Sequence, residues 1–159
     1  MSYETVTERI KLILSTVEGV YNIHTYLRDI EDEKKFEQAF KIETPQGPLL
    51  ACWVMTRKAV PTTRPSVDAN ALLDITHSIE IQGMYSLQDE KQSELDFQKI
   101  IDNVLQRFKT KFLLEDDSGV ALTGIIRTSE LSIPEIGYGQ FGNMFVHFCR
   151  MVISVEERL

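Results

Sequence analysis

Between residues 71 and 87 the chain alternates apolar and polar side chains over a span longer than most strands. Leu73, Ile75, His77, Ile79, Ile81, Gly83, Tyr85 and Leu87 fall on one side of an extended chain. Asp74, Thr76, Ser78, Glu80, Gln82 and Ser86 fall on the other, and only Met84 breaks the pattern. Side chains of a strand point alternately to opposite faces, so this segment predicts a long strand with one apolar and one wet face.

The segment that follows supplies a cover for the apolar face. Over 90–112, Phe97, Ile101, Val104, Leu105, Phe108 and Phe112 recur at helical spacing as one stripe. Lys109 and Lys111 suit the negative end of that helix. The stripe predicts that this helix lies on the odd-numbered face of 73–87. A first helix is predicted over 5–18, with Val6, Ile10, Ile13, Leu14 and Val17 on its apolar side. Thr5 and Glu8 read as a capping box, and Gly19 as the stop.

Other strands are shorter. Residues 19–27 suit a short strand or an ordered connection. Residues 28–35 are mixed in charge and read as solvated; the acids Asp29, Glu31, Asp32 and Glu33 lack the spacing of a calcium loop. FEQAFKIE (36–43) alternates, Thr44–Gly47 turns, and LLACWVMTRK (49–58) is apolar on both faces. That pattern predicts a hairpin whose second strand is central. Residues 59–70 hold two prolines and read as a long loop. Asp117-Ser118-Gly119 turns the chain and 120–128 reads as a strand. Residues 129–143 read as a second, glycine-rich loop, and 144–156 as a final strand apolar in its middle. The order is roughly αβββαββ. It predicts a single α+β domain over 1–159: a largely antiparallel sheet of about four to six strands with two helices packed on it.

Composition narrows the function. The chain has 159 residues, 43% hydrophobic and 26% charged, which excludes a disordered or fibrous class. No stretch approaches the roughly 20 apolar residues of a membrane helix, and the polar start does not read as a signal peptide. The net charge of −7 argues against a general phosphate-binding surface. Two cysteines make no disulfide framework and point to a reducing setting.

Chemistry is sparse. Gly137, Gly139 and Gly142 spell G-x-G-x-x-G, but the motif opens a strand instead of a helix, and no acidic ribose ligand can follow it. The expected reading is a flexible loop with positive-φ positions. His24, His77 and His147, with Cys52 and Cys149, have no metal-finger spacing; satisfied core histidines are expected. Neither cysteine sits in an obviously electropositive context, no G-x-S-x-G elbow occurs, and no carboxylate dyad stands out. The expectation is therefore no catalytic residue, no metal, no cofactor and no enzyme activity. A wet strand face and two long loops offer surface without chemistry, as in an interaction protein or a ring with a polar lumen.

GVYNIHTYLRDIEDEKKFEQAF, followed by CWVMTRK, resembles the tail-terminator (tail-completion) proteins of long-tailed bacteriophages and prophages. The positions that carry the resemblance are Gly19, Val20, His24, Tyr26, Arg28, Phe36, Phe40, Trp53 and Arg57. The alternating strand, LDFQKIIDNVLQRF and VHFCRMVISVEE extend it along nearly the whole chain as a pattern, and no catalytic signature is among them. The resemblance implies a virion structural protein: a hexameric ring that caps the tail tube, ends its polymerisation and joins it to the head connector. It implies a homo-oligomer, a tail tube protein and a connector or neck protein as partners. Genome DNA would pass through the lumen without specific binding, and no membrane is involved. The location implied is the host cytoplasm during viral tail assembly and the virion tail afterwards. The alternatives are another phage-tail or neck component, or a small α+β ligand-binding protein or enzyme.

Overall fold

The computed structural model describes residues 3–25, 41–44, 47–65, 67, 72–87, 93–141 and 144–159. Among them are two helices, α1 (Tyr3–Ser15) and α2 (Ser93–Phe108), and eight strands. The strands are β1 (Ile23–His24), β2 (Lys41–Thr44), β3 (Gly47–Ala59), β4 (Thr62–Thr63), β5 (Asp74–Ser86), β6 (Ile125–Thr128), β7 (Ser132–Phe141) and β8 (Met144–Arg158). They make one sheet in the order β1-β3-β5-β8-β6, with β2 on β3, β4 on β5 and β7 on β8. Among the described residues only the β1–β3 pair is parallel. The class is α+β with a mostly antiparallel sheet, as the pattern predicts, although the strands are more numerous than expected.

The alternation over 71–87 becomes β5, the strand from which the rest is hung. It pairs with β8 along its whole length, from Asp74↔Arg158 to Ser86↔Val146, and with β3 from Ala51↔Tyr85 to Ala59↔Ser78. Opposed residues share a face, so His77, Ile79 and Ile81 line up with Met55, Trp53, Met151, Ile153 and Val155. Both helices seal that face. Val6, Ile10, Ile13 and Leu14 from α1, and Phe97, Ile100, Ile101, Val104 and Phe108 from α2, complete the core.

Several boundaries differ from the sequence reading. Helix α1 starts at Tyr3, so Thr5 lies inside the first turn and does not cap it. Ile13 and Leu14 carbonyls accept from the amides of Thr16 and Val17, which tightens the last turn before Gly19 reverses the chain at φ 92°. Helix α2 is described over Ser93–Phe108 and ends four residues before the expected 112, while 90–92 lie outside the described residues. Ile100 replaces Leu105 in its buried stripe; Leu105 is 38% and Phe112 63% exposed. Phe112 and both lysines, Lys109 and Lys111, lie past the end of α2, where Leu114 takes φ 51° and turns the chain.

The hairpin of β2 and β3 forms as expected, with Lys41↔Leu50 and Thr44↔Gly47 opposed, and β3 is central, with Ala51 through Met55 all buried. Phe36, Phe40 and residues 28–35 lie outside the described residues. The loop 59–70 is interrupted by β4, which pairs Thr62 with Ile75. Of 120–128 only Ile125–Thr128 is strand, because Gly119 and Gly124 at positive φ keep the chain turning until then.

The largest correction concerns 129–143. Residues 132–141 are not a loop but β7, an edge strand on β8. Gly137 and Gly139 lie opposite Phe148 and Val146 in extended conformation, not at positive φ. Pro134 sits in the register shift between Ser132 and Glu135, where a missing amide does least harm.

Candidate interaction surface

The residues with the most chemistry are inside, and both buried histidines are hydrogen-bonded. His77 is 1% exposed, and its Nε2 donates to Glu157 Oε2 at 2.7 Å. That leaves Nδ1 to accept from Arg57 Nη1 at 3.5 Å. The Arg57 guanidinium in turn lies 4.7 Å from the Tyr3 ring centroid, tying α1 to β3. Sequence spacing cannot reveal this relay, because His77 and Glu157 are 80 positions apart and meet only through the β5–β8 register. His147 Nε2 shares a 2.8 Å hydrogen bond with Ser93 Oγ at the start of α2, and its ring stacks on Phe97 at 5.6 Å. Both groups are buried, so the pair fixes helix to sheet and presents no hydroxyl to solvent.

The cysteines are equally enclosed. Burial pushes the Cys52 and Cys149 thiols each up to about 12. They are protonated near neutral pH and poor nucleophiles. Among the described residues no group of three or more His, Cys, Asp or Glu side chains is placed to hold a metal. The G-x-G-x-x-G run falls at the β7 end, far in type from the strand-to-helix turn that cradles phosphate.

What the molecule offers to the outside is the second face of the sheet and its two edges. On that face Arg158 Nε and Nη2 donate to Asp74 Oδ1 and Oδ2 at 2.7 and 2.9 Å. These hydrogen bonds, with the nearby positive charge, hold the Asp74 carboxyl below the usual carboxylate range. Arg127 pairs with Glu156. Arg150 reaches Glu80 at 3.6 Å and Glu135 at 3.4 Å, and Lys58 lies 3.8 Å from Glu80. Four carboxylates and four cations thus interlock across β3, β5, β6, β7 and β8. Thr76, Ser78 and Ser154 fill the gaps between them.

The wet face is less wet than the alternation implies. Glu80 and Asp74 are nearly buried among their partners, and Cys52, Val54, Met84 and Val146 form an apolar buried end to the same face. Met84, the one break in the pattern, marks that end.

At one edge of the sheet, β7 presents Ile136 and Tyr138, with Phe145 of β8 beside them; Tyr138 is 66% and Phe145 61% exposed. At the other, the end of β3 and β4 present Arg57, Lys58, Val60 and Arg64, all exposed. No described helix is long and apolar enough to cross a membrane. No protein-family model matches the chain, and no curated protein matches its sequence.

Proposed function

We propose that this chain is a ring-forming tail terminator of a long-tailed phage or prophage. In this reading its subunits close into a hexamer on the head-proximal end of the tail tube. The ring stops tube polymerisation and offers the head connector a docking surface. The protein works in the host cytoplasm during assembly and stays in the virion tail. No bond is made or broken, so no catalytic group, metal or cofactor is required.

The observation that carries this reading is the interlocked polar face of the sheet. A ring lumen must pass DNA without gripping it. Phosphate binding runs on clustered Lys and Arg that release counterions. Among the described side chains of the face, Lys58, Arg127, Arg150 and Arg158 each stand within 4 Å of a carboxylate, so these four leave little positive field over. The helices seal the opposite face. The space beside His77 is filled by Tyr3, Arg57 and Glu157.

The test is loss of the gene in the producing phage, with tails measured by electron microscopy. Tails of uncontrolled length that fail to join heads, restored by the gene in trans, are expected. Tails of normal length joined to heads would refute the proposal.

A further inference from the structure

We infer that His77 is an acid-operated latch on the start of α1: when its imidazole takes up a second proton, Arg57 leaves the cluster and lets go of Tyr3. The inference goes beyond the ring reading and does not depend on it.

Three groups face His77, one from each element packed against it. Glu157 of β8 holds Nε2 at 2.7 Å, Arg57 of β3 lies 3.5 Å from Nδ1, and the Tyr3 ring of α1 stands 6.1 Å from the imidazole. The register places apolar Ile75, Ile79 and Val155 on the same face. Asp74, Glu156 and Arg158 of the same strands belong to the opposite face. In a neutral imidazole the one proton sits on Nε2, toward the carboxylate, and the lone pair of Nδ1 points at the guanidinium. A second proton has only that lone pair to occupy. It would turn an acceptor facing Arg57 into a cation facing a cation.

Charge balance decides which group yields. An enclosed carboxylate supports one counter-cation, and a further charge without a partner is costly to bury. With His77 neutral, Arg57 is the cation of the cluster. With His77 charged, the imidazolium pairs with Glu157 at hydrogen-bond distance and Arg57 becomes surplus. His77 and Glu157 are each 1% exposed and cannot reach water, whereas Arg57 is exposed and can swing out. The exchange keeps the enclosed charge constant and moves only the side chain that has somewhere to go.

Arg57 is also what grips the helix. Its guanidinium lies 4.7 Å from the centroid of the Tyr3 ring, and Tyr3 is the first residue of α1. One turn on, Thr7 is buried and its hydroxyl donates to the Tyr3 and Glu4 carbonyls. Loss of the guanidinium therefore frees the first turn of α1, while Val6, Ile10 and Leu14 keep the rest of the helix in the core. The latch is closed where His77 is neutral and opens as pH falls.

The experiment compares the full chain at pH 8 and pH 5, the interval in which histidine is the side chain that ordinarily changes charge. Amide exchange, corrected for its intrinsic pH dependence, is read at Thr7 and Glu8, whose helical acceptors are the carbonyls of Tyr3 and Glu4. The Val104 amide in α2 is the internal reference. Protection at Thr7 and Glu8 should fall roughly two- to fivefold more than at Val104, the fold-change set by losing one exposed cation–π contact. Nuclear Overhauser contacts between the Arg57 side chain and the Tyr3 ring should be present at pH 8 and absent at pH 5. His77→Gln can still donate to Glu157 but carries no titrating proton, so its Thr7 and Glu8 amides should behave alike at both values. Arg57→Gln should show the lower protection at both. Trp53 emission and thermal melting report whether each variant is folded, and if His77→Gln is not, the exposed Arg57→Gln decides alone. Unchanged protection in wild type, Arg57–Tyr3 contacts that persist at pH 5, or a fall that survives in either folded variant would each overturn the latch.

Discussion

Adding a single methyl group at Gly83 should be among the most damaging small changes in this protein. Gly83 is buried in the middle of β5, directly opposite Trp53 of β3. A β-carbon placed there would lie 2.5 Å from Trp53 Cζ3 and 2.8 Å from both Cε3 and Cη2. Ordinary carbon contacts begin near 3.5 Å, so the indole must withdraw by about 1 Å. It has little room to do so, being 1% exposed and wedged against Phe97 with ring centroids 6.5 Å apart. Forcing an extra methyl into a packed core typically destabilises by about 1–3 kcal/mol. With a rigid aromatic as the obstacle, the upper part of that range applies to Gly83→Ala. For a chain of this size that lowers Tm by roughly 4–10 °C. Urea unfolding followed by Trp53 emission gives both the stability and the local environment in one assay. The Trp53→Phe background, which lacks the only tryptophan and is followed by circular dichroism, supplies the control: a smaller ring relieves the clash, so the two losses should fall short of additivity. Gly83→Ala as stable as wild type to within about 0.5 kcal/mol, with unchanged emission, would refute the packing argument.

Three further outcomes follow from the same coordinates. Phe97→Ala should cost about 3–5 kcal/mol by denaturant unfolding, whereas Leu105→Ala should stay within about 0.5; equal losses would mean α2 packs on a different stripe. Both cysteines should resist a thiol reagent at pH 8 until the chain is unfolded, because burial holds them near 12; rapid labelling of the native protein would contradict this. Asp74 should titrate below the ordinary carboxylate value of about 3.9, since Arg158 favours its ionised form. Its folded pKa is depressed, so its contribution is present above that value and lost as pH falls through the lower, folded one. Asp74→Asn should therefore flatten the acid limb of the stability profile without changing its shape above pH 5; an unaltered acid limb would show that the ion pair does not form.

How much of this was legible in the sequence depends on what fixed each feature. The faces of β5, α1 and α2 are set by burial on one side, and burial writes itself as a period of 2 or 3.6. Leu105 fits the stripe because it is apolar at a permitted spacing, yet the helix turns it outward and uses Ile100. β7 was invisible for a different reason. Gly137, Gly139 and Pro134 are read as breakers, and an edge strand tolerates them because one side of its ladder is open. The two buried histidines were expected to be satisfied, but their partners could not be named. Glu157 is 80 positions from His77 and Ser93 is 54 from His147, and only the register of β8 brings them together.

The polar face carries the same lesson further, because charge is a property of registry as well as of composition. The chain has 24 acids and 17 bases, which alone suggests that any lumen it lined would be acidic. On the sheet face the register sets Asp74 against Arg158, and Glu156, Glu80 and Glu135 each find a cation as well. The four acids and four bases described on that face balance one another. A wall built this way would neither attract phosphate nor strongly repel it. DNA moving past it would meet short-range dipoles, screened within a Debye length of about 8 Å at physiological salt. Breaking one member of the interlock should therefore have an effect out of proportion to its single charge. Glu80→Gln takes the carboxylate from between Lys58 and Arg150 and leaves two cations on the face with one fewer counter-charge. The expected outcome is a measurable, salt-sensitive affinity for duplex DNA where wild type has none, read by fluorescence anisotropy at 50 and 200 mM salt. Equal, negligible binding by both proteins would mean that the paired charges hold the sheet together and have no bearing on what passes by it.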